Sequence, residues 1–154
     1  HGAAWGWRVL SKAAPFTEGI GPGDADYEKW QKAIVIMTDG EQVVGSNTLT
    51  HRRSTQGQYG FAIEERMGAG INSSSEMKNE LDNKLLRVCH RMKQEGYLVY
   101  TIMFGLDSSS TRTLFKSCAT KPTAPYFHDA VDGDELEDAF GDIAADLVDL
   151  HVSK

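Results

Sequence analysis

The feature that most constrains this chain is the run Lys32-Ala33-Ile34-Val35-Ile36-Met37, apolar and β-branched after its lysine and closed by Thr38-Asp39-Gly40. An apolar run of this length without polar alternation describes a strand buried on both faces, as the strands of parallel sheets are. Leu98-Val99-Tyr100-Thr101-Ile102-Met103-Phe104, closed by Gly105, repeats the pattern. Between the two runs, Met77, Leu81, Leu85, Val88, Cys89 and Met92 form an apolar stripe at helical spacing. That stripe predicts a helix over 76–95, with Gly96 providing the left-handed residue that ends it. A strand, a helix and a second strand in this order make a right-handed crossover between parallel neighbours.

The flanking segments extend the same plan. Ala3, Ala4, Trp7 and Leu10 fall on one helical face ahead of Pro15, predicting a helix over 2–11. Residues 17–30 are rich in Gly and Pro at their start and read as a connector into the first strand. Ser73 and Glu76 stand in the capping-box arrangement, as do Asp132 and Glu135. The second pair opens a closing helix over 133–151, with Leu136, Ala139, Phe140, Ile143, Leu147 and Leu150 on one face. Ser108–Thr111 offer N-caps for a short helix through Cys118, and Tyr126-Phe127-His128 reads as a third strand. Residues 41–75 show no sustained period and read as a long surface excursion. The predicted fold is therefore α/β, a partial Rossmann-like parallel sheet of three strands, Lys32–Met37, Leu98–Phe104 and Tyr126–His128, with flanking helices. Such a sheet normally has more strands. The 154 residues are thus expected to form one domain of a longer protein, short of its N-terminal strands.

Composition narrows the functional classes. An apolar share of 40% and a charged share of 25% are ordinary for a folded domain. A net charge of -6 without clustered Lys and Arg argues against nucleic-acid binding. The longest apolar run, Ala33–Met37, is far short of the roughly 20 residues that cross a bilayer as a helix, so no membrane insertion by this chain is expected. Cys89 and Cys118 allow one intramolecular pair, and their spacing does not decide whether they meet.

Ligands of open α/β sheets bind beyond the carboxyl ends of the strands. Asp39, Asp107 and Asp129 follow the three predicted strands there, and Asp39 stands out because Gly40 permits a sharp turn directly after it. Asp107 and Asp129 read more simply as polar strand terminators. Cys118 has no base or cation beside it in sequence to activate a thiol, and His128 has no partner at metal-ligand spacing. His51-Arg52-Arg53 is a small basic cluster in the excursion, suited to an acidic partner or simply solvated. No phosphate-binding glycine loop, dinucleotide fingerprint or nucleophile elbow occurs in the sequence.

Taken in order, Lys32–Glu41, the polar excursion, the helix carrying Cys89, Tyr100–Gly105, Cys118 and the acidic closing helix resemble the C-terminal half of a von Willebrand factor type A domain. More narrowly, they are similar to the TadG-like proteins of bacterial Tad (Flp) pilus assembly. Gly2–Ser11 also looks like the helix that precedes the Thr-Asp-Gly strand in that family. The resemblance implies a non-catalytic module that binds proteins, with other pilus-assembly proteins as partners. It also implies a membrane-anchored parent with this region on the periplasmic or cell-surface side, where disulfides persist, and hence a bond between Cys89 and Cys118.

Type A domains often hold a divalent cation, and Asp39 matches the acid of the Thr-Asp-Gly strand end. The Asp-x-Ser-x-Ser loop that supplies the other ligands does not occur. No cofactor is therefore expected in this chain, and Mg²⁺ only in a longer one with a complete adhesion site. The excursion, leaving the sheet at its carboxyl edge, is expected to carry the partner surface, with Tyr59 and Phe61 as anchors and Arg52 and Arg53 beside them. A different class of reading makes Asp39 the phosphoryl acceptor of a receiver-like enzyme domain. The absence of a Lys between Tyr126–Ala130 and the closing helix disfavours it.

Overall fold

The computed structural model describes residues 1–44, 56–57, 59–61, 64–71 and 73–152. The chain divides into two units, residues 1–40 with 85–154, and residues 41–84.

In the first unit, β1 (Ala33–Thr38), β4 (Leu98–Phe104) and β5 (Phe127–Ala130) form a parallel sheet in the order β1-β4-β5. The first strand begins and ends one residue later than the sequence predicts. The third is displaced further, because the Tyr126 N–H is held by the Thr123 carbonyl in a turn (3.0 Å), while pairing with β4 runs on to Ala130 opposite Phe104. Two short strands of the other unit, β2 (Gln56–Gly57) and β3 (Gly60–Phe61), pair antiparallel.

The helices are α1 (Gly2–Leu10), α2 (Ser74–Gln94), α3 (Ser109–Cys118) and α4 (Gly133–Val152), with one turn of 3₁₀ helix at Tyr27–Lys29. Their ends follow local chemistry. At the start of α2 the Glu76 N–H donates to Ser73 Oγ (3.2 Å) and the Ser73 N–H to Glu76 Oε2 (2.9 Å), a reciprocal capping box. At its close the N–H groups of Tyr97 and Gly96 reach the carbonyls of Met92 (2.9 Å) and Lys93 (3.1 Å), which requires the left-handed turn at Gly96, φ 81°. Asp132 Oδ1 accepts from the N–H groups of Asp134 and Glu135 at the start of α4, and Glu135 reaches back to the Val131 N–H (2.7 Å). The last turn of α3 is capped from α2, whose Lys93 Nζ donates to the carbonyls of Ser117 (2.9 Å) and Ala119 (3.0 Å).

Strand β4 is the centre of the first unit. Val99 packs with Cys89, Met92, Tyr97 and Cys118, and Met103 with Phe115, Ala119 and Phe127. Tyr100 and Ile102 point to the opposite face and pack with Ala139 and Ile143 of α4. Thr101 is fully buried yet satisfied, because its hydroxyl donates to the Phe115 carbonyl at 3.1 Å. On the α4 face Tyr100 stacks on Tyr126 at 5.2 Å and donates to Asp146 Oδ2 at 2.6 Å. Burial and this carboxylate push the Tyr100 hydroxyl well above its ordinary range.

Cys89 and Cys118 form a disulfide with their Cα atoms 5.2 Å apart, joining α2 to α3 beneath the sheet. Residues 41–84 have a core of their own, in which Met67, Met77 and Leu81 are buried and Val44, Tyr59 and Ile71 pack against them.

Candidate functional site

The parallel topology puts the ends of β1, β4 and β5 at one edge of the sheet, but the three acids there have different surroundings. Asp39 is exposed. The neighbouring Thr38 hydroxyl is turned onto the backbone, donating to the Gly40 carbonyl at 2.6 Å, so it closes the turn after β1. Asp129 accepts from Arg112 Nε at 2.5 Å, and Arg112 Nη2 lies 3.5 Å from Asp107 Oδ1. The carboxylate of Asp129, and then that of Asp107, hold the Arg112 guanidinium in its charged form. Asp107 and Asp129 are thus bridged by one arginine reaching from α3, and Asp39 does not belong to that cluster.

A hard cation needs about six oxygen ligands, and among the described residues no group of three or more His, Cys, Asp or Glu side chains converges. Asp39 is a single carboxylate, and the other two acids already face a guanidinium.

The remaining candidates separate clearly. His128 is largely buried within β5, with Nε2 at 3.1 Å from the Pro125 carbonyl and 3.9 Å from Asp142 Oδ2, a structural setting. Cys118 is half of the disulfide and carries no free thiol. Tyr59 packs onto the Met67, Met77 and Leu81 cluster, with Lys84 Nζ 5.5 Å from the centre of its ring. Phe61 is half-buried, and its N–H donates to Glu64 Oε2 at 3.3 Å. Tyr59 therefore belongs to the packing of residues 41–84. Arg52 and Arg53 lie outside the described residues.

A different feature emerges in the first unit, in the stretch that reads as a mere connector. Val9 and Leu10 of α1, Ile20, and Trp30, Lys32 and Ala33 ahead of β1 line an open groove of about 750 Å³. That is within the usual volume of ligand and peptide sites. Trp30 is 63% exposed, and Trp5 and Val9 on the outer face of α1 are each 49% exposed. Phe16 meets Trp5 edge to face at 6.2 Å, and Arg8 lies 5.3 Å from the Trp5 ring centre.

The polar groups of the groove are fixed. Lys32 Nζ donates to the Ile20 carbonyl and to Tyr97 Oη (3.2 Å), and stands over the rings of Tyr97 and Tyr27 at 5.1 and 5.8 Å. Burial pulls the Lys32 ammonium below its usual range and pushes the Tyr97 hydroxyl up to about 12. Asp24 accepts from Lys12 and from the Gly21 N–H (2.8 Å), which hold its carboxyl low. The result is an apolar trough with a charged rim on which Lys32 and Asp24 are held by partners within the chain. Trp30, a large aromatic residue in the lead-in to a strand, is the signal in the sequence that points to it.

Comparison with protein-family models, with curated proteins and with solved structures found no match.

Proposed function

We propose that this chain is a non-catalytic protein-binding and assembly module, part of a pilus-assembly protein resembling the TadG-like family and working on the periplasmic or cell-surface side of a membrane. The observation that carries the reading is the groove beside β1 with Trp30, Trp5 and Val9 exposed around it. Large exposed aromatic and aliphatic side chains, grouped and rimmed by charge, are what protein interfaces are made from. On the rim Asp24, Asp26 and Lys32 already have partners within the chain, and the apolar floor is the part left for a partner to cover. The disulfide supports the compartment, since such bonds persist outside the reducing cytoplasm. Among the described residues no helix is long and apolar enough to cross a membrane.

The test is photo-crosslinking from position 30 in cells assembling pili of this kind. Adducts with pilus or pilus-assembly proteins are expected from position 30 and not from Thr113, on the outer side of α3. Equal yields from both positions, or adducts with unrelated proteins alone, would defeat the proposal.

A further inference from the structure

The charges around the groove beside β1 bear on what fills it. Three of its lining residues are acidic, Glu18, Asp24 and Asp26, and one is basic, Lys32. Lys32 does not offer its charge to an occupant, because its ammonium is turned into the fold, onto the Ile20 carbonyl, Tyr97 Oη and the rings of Tyr97 and Tyr27. The acids are less committed. Glu18 is exposed and accepts from the Thr17 N–H at 3.0 Å, with no ion pair among the described residues. Asp26 pairs with Lys29 three residues on, but the two side chains stay 58% and 77% exposed, and such surface pairs contribute little. Only Asp24 is firmly held, by Lys12 and the Gly21 N–H.

The aromatic rings point the same way. Arg8 stands over Trp5, and Lys32 over Tyr27 and Tyr97. Trp30, the most exposed of the tryptophans, has no cation over its ring among the described residues. An open indole face attracts ammonium and guanidinium groups. Carboxylates on the rim of an apolar cleft add to that attraction, because the low-dielectric walls focus their field.

We infer that the groove takes a basic amphipathic segment of its partner, a short run of apolar residues flanked by Lys or Arg. The inference rests on the groove being the partner site proposed above. The apolar residues of the segment cover Val9, Leu10 and Ile20, one cation lies against Trp30, and others face Glu18 and Asp26. Complementary charge of this kind selects the partner and speeds the encounter. It disfavours an acidic segment, and also a second copy of this chain, whose net charge is -6.

Calorimetric titration of the 154-residue protein with synthetic peptides tests the inference. One core of Leu and Phe is flanked at both ends by Lys, by Ser or by Glu. The Lys-flanked peptide is expected to bind about tenfold more tightly than the Ser-flanked one and the Glu-flanked peptide most weakly, with added salt narrowing the differences. Glu18→Lys with Asp26→Lys should abolish the preference. Glu137→Lys with Asp138→Lys changes the net charge equally, but on α4, which packs on the other face of the sheet from α1, and should leave the preference in place. All four residues are exposed, so both variants should melt as the wild type does. Equal affinity for the three peptides, no binding of any of them, or a preference that survives Glu18→Lys with Asp26→Lys would each overturn the inference. Crosslinking from position 30 decides the broader reading separately: adducts with pilus-assembly proteins beside equal peptide affinities keep the groove as a partner site and reject only the basic segment, whereas adducts confined to the protein's own chain reject both.

Discussion

Replacing both Cys89 and Cys118 with Ala removes the covalent tie between α2 and α3. The two residues are 29 apart in sequence. Closing a loop of that length in the unfolded chain restricts it by about 12 cal/mol/K, or about 3.6 kcal/mol at 25 °C. Both sulfur-bearing side chains are fully buried among Met92, Tyr97 and Val99, so deleting the sulfurs also leaves small voids that add to the cost. The double variant should therefore lose about 4 kcal/mol in urea unfolding, and melt roughly 8–16 °C lower for a chain of this size. The urea slope discriminates between sources of the loss. If the bond acts by compacting the unfolded ensemble, the variant's m-value rises; if the loss comes from the folded core alone, the m-value stays put. Reducing the wild-type protein in denaturant and refolding it with its thiols blocked should reproduce the variant. A loss under about 1 kcal/mol, or two titratable thiols in the native protein, would refute the reasoning and remove the strongest support for an extracytoplasmic location.

Three further outcomes are expected. Tyr97 keeps its proton in the fold to about pH 12, against a usual value of 10.0, so its contribution to stability is intact below pH 10 and lost as pH rises through that window; Tyr97→Phe should flatten the alkaline fall in unfolding free energy. Adding millimolar Mg²⁺ should leave the melting curve in place, because Asp39 stands apart from the Arg112-bridged acids; a rise of several degrees, or submicromolar affinity by calorimetry, would establish a cation site. Tyr59→Ser with Phe61→Ser should destabilise residues 41–84 by about 2–4 kcal/mol, read as faster exchange of their amides, since Tyr59 packs on Met67, Met77 and Leu81; unchanged exchange would return both rings to the role of partner anchors.

How much of this was legible in the sequence depended on how local its causes are. β1 and β4 stood out because continuous β-branched runs have no other stable use, and the starts of α2 and α4 because their capping residues are three positions apart. The end of β5 was less visible. Asp129 can lie inside a strand because Arg112 answers its charge from 17 residues away on α3, a pairing that no local pattern encodes. The order within residues 41–84 was hidden for a similar reason. Val44, Tyr59, Met67 and Ile71 follow no period and cohere only through Met77 and Leu81 of α2. The acids at the strand ends were found readily, but their grouping was not, since spacing alone could not say that Arg112 would join two of them and leave Asp39 apart. The groove beside β1 was missed because its walls come from α1, a Gly-rich connector and the lead-in to β1, each unremarkable alone.

The disulfide also changes how the chain would carry a load. Tension applied at the two ends runs along the backbone to Cys89, crosses the sulfur bridge, and continues from Cys118. The residues between them, with β4 in their midst, lie off that path and bear none of the pull. At about 3.5 Å per extended residue the bypassed segment withholds roughly 100 Å of contour length. Stretching would therefore peel away α1 and α4 while the middle of the sheet stays short, and a reducing agent would release the withheld length in a single step.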